Sequence, residues 1–167
     1  MNTGQMLLAL GAMILLSTTV LRVNNTFFTT DTVLDETKFN FLATSLGSSI
    51  IQEAKSKSFD KATDSASVSD VKFLTSAGDL GPDGGEKGKK KSVFNDFDDF
   101  NGYQDIDSTM PSAPFWYSCK VVYVDENQPD APSSSKTWNK MITVTITSPY
   151  MSDVVKISAV YSYWFFR

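Results

Sequence analysis

The sequence predicts an α+β fold, with a long N-terminal helix packed on a C-terminal antiparallel sheet of three to four strands. Three observations predict it. The stretch from Met1 to Leu21 carries no charge. Apolar residues then recur at steps of three or four as far as Ala54. The C-terminal part holds three runs of alternating apolar and polar residues separated by turn-rich segments. These divide the 167 residues into an apolar segment, 1–30, and a globular head, 31–167. Within the head, 31–58 reads as an amphipathic helix, 60–113 as a loop region and 114–167 as the sheet.

A helix over the first 21 residues is about 30 Å long, the thickness of a bilayer's hydrocarbon core. A cleaved signal peptide requires a basic leading region, and Met1 to Gln5 has no Lys or Arg. A single-pass anchor and a helix that bundles with copies of itself both fit. Gly4, Gly11 and Ala12 are small enough for close helix approach, and Leu7, Leu8 and Leu15 supply bulk beside them, with Gln5 as a polar neighbour. Ser17, Thr18 and Thr19 can bond backbone carbonyls, which predicts a break in the helix between residues 17 and 30.

Beyond that break, Leu34, Phe39, Leu42, Leu46, Ile50 and Ala54 form one stripe, with Phe41 and Ile51 beside it. Thr30 or Asp31 is the expected cap, and Lys55 and Lys57 fall at the end, where cations are favoured. Val71 to Leu74 reads as a short strand, and Gly78 to Gly85 as a turn-rich loop. Phe115 to Val124 alternates with Phe115, Tyr117, Cys119, Val121 and Tyr123 on one face. Lys136 to Thr147 places Ile142, Val144 and Ile146 together. Val154 to Phe166 groups Val155, Ile157, Ala159, Tyr161, Tyr163 and Phe165. Short connections at 125–135 and 148–153 imply an antiparallel meander with one face free to cover a helix.

Composition narrows the function. The net charge of −4 gives no electrostatic support for nucleic-acid binding. There is no histidine, which removes the commonest general base and zinc ligand, and the single Cys119 cannot form an intramolecular disulfide. The charge run Glu86–Lys91 lacks the spacing of a phosphate loop. A non-enzymatic protein without a resident cofactor is the expectation. Asp96, Asp98, Asp99, Asn101, Asp105 and Asp107 form the densest oxygen cluster. Calcium takes six to eight oxygens from such loops, and a solvated or capping acidic loop is the competing reading. An EF-hand register fails, because Asn101-Gly102 would put Phe97 at the first ligand position. Asn24-Asn25-Thr26 is a glycosylation sequon.

Leu42 to Asp60 (LATSLGSSIIQEAKSKSFD) resembles the helix end of minor pilins of the mannose-sensitive haemagglutinin type. Phe97-Asp-Asp-Phe-Asn-Gly-Tyr103 is similar to a loop stretch of the same group. The resemblance to type IV pilins and pseudopilins implies a structural subunit that sits in the inner membrane before assembly. It then polymerises with copies of itself, through its apolar helix and with the pilus assembly machinery, into an extracellular filament at the cell surface. Within that resemblance, a minor pilin or pseudopilin of a secretion or assembly machine is the alternative, and a calcium site near the sheet is implied for some members. A membrane-anchored surface binding protein that never polymerises is a third reading. If Met1 is the first mature residue, Gln5 stands where the family carries Glu, and cleavage after Gly4 would make Gln5 the first residue instead. The family's disulfide loop has no counterpart here.

Overall fold

A computed structural model describes residues 2–110 and 112–163. Met1, Pro111 and the C-terminal Trp164, Phe165 and Phe166 of the third run lie outside the described residues. The chain divides into two compact units between Phe39 and Asn40.

Helix α1 runs without interruption from Thr3 to Lys55. The break expected between residues 17 and 30 is not there. Thr18 and Thr19 donate to Leu15 O, and Thr26, Thr29 and Thr30 donate to carbonyls four residues back. These hydroxyls satisfy themselves inside the helix and leave its ladder intact. Thr30 and Asp31 are therefore interior residues, not caps.

Up to Phe39 the helix is exposed, apart from partial cover at Glu36 and Phe39. In the second unit it buries Ala43, Leu46, Gly47, Ile50, Ile51 and Ala54. That stripe starts later than the sequence suggests: Leu34 and Phe41 are 61% and 72% exposed. Gly47 lies close against the sheet. A Cβ there would lie 2.8 Å from Ile157 Cδ1 and 2.9 Å from Ile146 Cδ1.

The antiparallel sheet comprises β1 (Gln104–Asp107), β2 (Phe115–Asp125), β3 (Gln128–Ser133), β4 (Asn139–Thr147) and β5 (Val155–Ser162). β4 starts at Asn139 rather than Lys136. Five strands exceed the three to four expected, because β1 and β3 lie inside segments read as loops. The order is β1-β2-β4-β5, with β3 also pairing β2. β4 takes residues 116–123 of β2 on one edge. On the other, β1 takes 115–118 and β3 takes 123–125. Between those two, Cys119 N donates to Tyr103 O, and Val121 N donates to Asn101 Oδ1, so this edge of β2 is capped by the preceding loop. Gly102, at φ 77°, makes the turn into β1 and donates to Cys119 O.

The inner face is the one alternation identified: Phe115, Tyr117, Cys119, Val121 and Tyr123 of β2, and Ile142, Val144 and Ile146 of β4, are buried. Burial pushes the Cys119 thiol up to about 12, so it packs as a small apolar group.

Between α1 and β1 the chain is irregular, and the strand expected at Val71 to Leu74 does not form. Val71–Phe73 is a 3-10 turn capped by Asp70, whose side chain accepts from Lys72 N. Val71 and Leu74 turn inward three residues apart, and Phe73 is 61% exposed. A four-residue helix α2 (Lys61–Asp64) and 3-10 turns at Lys91–Val93 and Asp98–Phe100 complete it.

Candidate functional site

Two features carry chemistry. The first is the N-terminal stretch of α1. It is long and apolar enough to cross a membrane by length and composition, with none of its most apolar window buried. Gly4, Leu7, Leu8, Gly11, Ala12 and Leu15 fall at helical spacings of three and four, so they share one face, with Gln5 at its margin. Leu7, Leu8 and Leu15 are 70%, 77% and 69% exposed, and no atom comes within 4 Å of a Cβ placed at Gly4 or Gly11. The face is thus a ridge of leucines beside glycine notches. Each leucine on it gains roughly 1.5–3 kcal/mol when it leaves water for lipid or for protein. Arg22 is the first charge after it, and Asn24 lies exposed on the helix just beyond.

The second feature was not foreseen. Lys140 is completely buried, and its Nζ donates to Phe59 O (2.8 Å), Asp60 Oδ2 (2.8 Å) and Asp98 Oδ1 (2.5 Å). The ammonium lies 4.6 Å from the Phe59 ring centre and 5.3 Å from that of Tyr123. Lys140 has a position in the β4 register facing Tyr123 on one side and Tyr161 on the other. The sequence did contain a signal: Lys140 shares the parity of Ile142, Val144 and Ile146, so alternation alone points it into the core.

Each carboxylate is placed by local structure. Asp60 caps α2: Ala62 N donates to Oδ1, and Thr63 Oγ1 accepts from Asp60 N, a reciprocal capping box. Thr75 donates to it through both N and Oγ1. Burial alone would raise the Asp60 pKa, but the Lys140 charge and these donors hold it below the usual carboxylate value. Asp98 arrives because Ser58 and Asp96 form a single parallel bridge, in which Phe97 N donates to Ser58 O (2.8 Å). Burial holds Asp98 above the ordinary value in spite of Lys140. Asp96 behind it is pushed up to about 8 by burial first, then by the charges of Asp98 and Asp99.

The expected oxygen cluster is therefore divided. Asp96 Oδ1 accepts from the backbone N–H groups of Asp98 and Asp99, and Asp99 Oδ2 from those of Asn95 and Asp96. Asn101 spends its amide on Leu80 O and Val121 N. Asp105 accepts from Tyr103 and Ile106, and Asp107 from Thr109. Asp99 Oδ1 and Glu86 Oε2 are buried without a donor. Among the described residues no three acidic or Cys side chains are grouped to hold a metal ion, and Lys140 fills the cation's place between Asp60 and Asp98.

No protein family, curated protein or solved structure matches the chain. The geometry gives an α+β head and an N-terminal helix suited to act as a membrane anchor or signal.

Proposed function

We propose that the chain is a structural subunit of an extracellular pilus-like filament, polymerising through the apolar N-terminal stretch of α1. One observation carries the reading: the leucine ridge and glycine notches at Gly4, Leu7, Leu8, Gly11, Ala12 and Leu15 are exposed. Contiguous apolar surface of this kind seeks either lipid or other protein. Small residues at helical spacing favour other helices, because they let backbones approach. The membrane holds the subunit before assembly, and a bundle of like helices replaces lipid afterwards. No catalytic role enters this reading.

The same helix also fits a permanent anchor for a surface protein, since its length matches a bilayer crossing. Shearing cells that express the chain separates the two. A polymeric subunit appears in the sheared filament fraction, and an anchored protein stays with the membranes. Leu8→Arg places a charge in the centre of the ridge, at a cost of several kcal/mol in an apolar bundle. It is expected to abolish filaments while the head remains folded. Filaments of normal yield from Leu8→Arg would refute the bundle assignment.

A further inference from the structure

We propose that Lys140 and Asp98 condense to a covalent side-chain amide, with Asp60 carrying the protons. The inference is independent of the filament reading, because it concerns only the head. Three conditions favour such a bond, and they meet here. The amine nitrogen touches the carboxyl group it would join, 2.5 Å from Asp98 Oδ1. A second carboxylate, Asp60, touches the same nitrogen at 2.8 Å and is fixed by Ala62, Thr75 and the α2 cap. Finally, the group is cut off from water: the side chains of Lys140 and Asp60 have no exposure, that of Asp98 has 3%, and Phe59 and Tyr123 flank the nitrogen. Fixed contact between reactants replaces a bimolecular encounter and is worth many powers of ten in rate. Exclusion of water also disfavours hydrolysis of the product.

The step balances without an oxidant or co-reactant. Asp60 takes a proton from Nζ, and the freed amine attacks Cγ of Asp98. The C–N bond forms, and the tetrahedral carbon expels one oxygen as water. The two protons that leave the nitrogen, relayed through Asp60, end on that oxygen, so Asp60 starts and finishes ionised. Ammonium plus carboxylate gives amide plus water, with no change in net charge. The raised proton affinity of Asp98 suits the electrophile, since a protonated carboxyl group is attacked more readily than a carboxylate.

The test is the mass of the purified full-length chain in detergent, denatured and analysed intact. The expected mass is one water below that of the unmodified chain. Proteolysis should then yield a branched peptide joining Lys140 to Asp98, with no tryptic cleavage after Lys140. Lys140→Arg preserves a cation but cannot form this bond, and should restore the full mass. Asp60→Asn should slow or abolish the loss of water. Wild-type protein that is folded by circular dichroism and keeps its full mass after prolonged incubation overturns the proposal. So does a branched peptide that joins Lys140 to Asp60 instead.

Discussion

Placing a methyl group on Gly47 tests how the head is assembled. The new Cβ would stand 2.8 Å from Ile157 Cδ1 and 2.9 Å from Ile146 Cδ1, where carbon atoms prefer about 3.5–4.0 Å. Both isoleucine tips must retreat together, or the helix must lift from the sheet. Overpacking of this kind costs about 1–3 kcal/mol. Against it, Ala gains roughly 1 kcal/mol over Gly in helix propensity. Gly47→Ala should therefore cost about 0–2 kcal/mol, an ambiguous value by itself. The decisive quantity is the coupling. Ile146→Val removes the clashing δ-methyl and costs about 0.5–1.5 kcal/mol in the native background. With Ala at 47 it should cost less, because the methyl it removes is one of the two in the way. Urea unfolding of a fragment starting at Asp31, followed by circular dichroism, gives the four free energies of the cycle. Additivity within about 0.5 kcal/mol would mean that the two side chains do not compete, and the packing described here would be wrong.

The same fragment is itself a prediction: with Ala43 to Ala54 and the inner sheet face forming one core, it should be a folded, soluble monomer, and a disordered NMR spectrum would refute that. The raised pKa of Asp96 gives a pH dependence with a definite sign. Between the ordinary 3.8 and about 8 the folded chain keeps a proton that the unfolded chain releases. Stability should therefore fall as pH rises through that window, by at most about 1.4 kcal/mol per unit from this group. Asp96→Asn mimics the protonated acid and should flatten the urea midpoint between pH 5 and 8; an unchanged slope would exclude Asp96 as its source. In the filament reading, Gln5→Ala should weaken assembly modestly, since a neutral hydrogen bond is worth about 1 kcal/mol. Gly11→Leu fills a notch and should damage it severely. Intact filaments from Gly11→Leu together with none from Gln5→Ala would reverse that assignment.

Most of the head's frame was legible because its signals are periodic. Ile142, Val144 and Ile146, or Leu46, Ile50 and Ala54, declare a face through spacing alone. What escaped has no such period. β1 is Gln-Asp-Ile-Asp, and β3 carries two prolines and is exposed almost throughout, so both are strands only because β2 offers an edge to pair with. Val71 to Leu74 failed differently, since an apolar pair three residues apart in a tight turn mimics alternation over so short a window. Thr18 and Thr19 suggest a break in α1, whereas their hydroxyls bond back into the helix. The Lys140 centre is the costliest omission. Its three contributing segments are far apart in the chain, and only the parity of Lys140 hinted at it.

That separation has a consequence for how the chain comes into being. Asp60 lies 80 residues before Lys140, 63 before Tyr123 and 15 before Thr75. A chain emerging from a ribosome presents Asp60 first and must leave it hydrated until β4 has been made. Closing α1 onto a partial sheet would strand a carboxylate in apolar surroundings, which is unfavourable. The lysine thus acts as a late latch that withholds compaction until nearly the whole head exists. In pulse-labelled hydrogen exchange, the amides of Asp60 and Thr75 should gain protection together with those of β4, and not before.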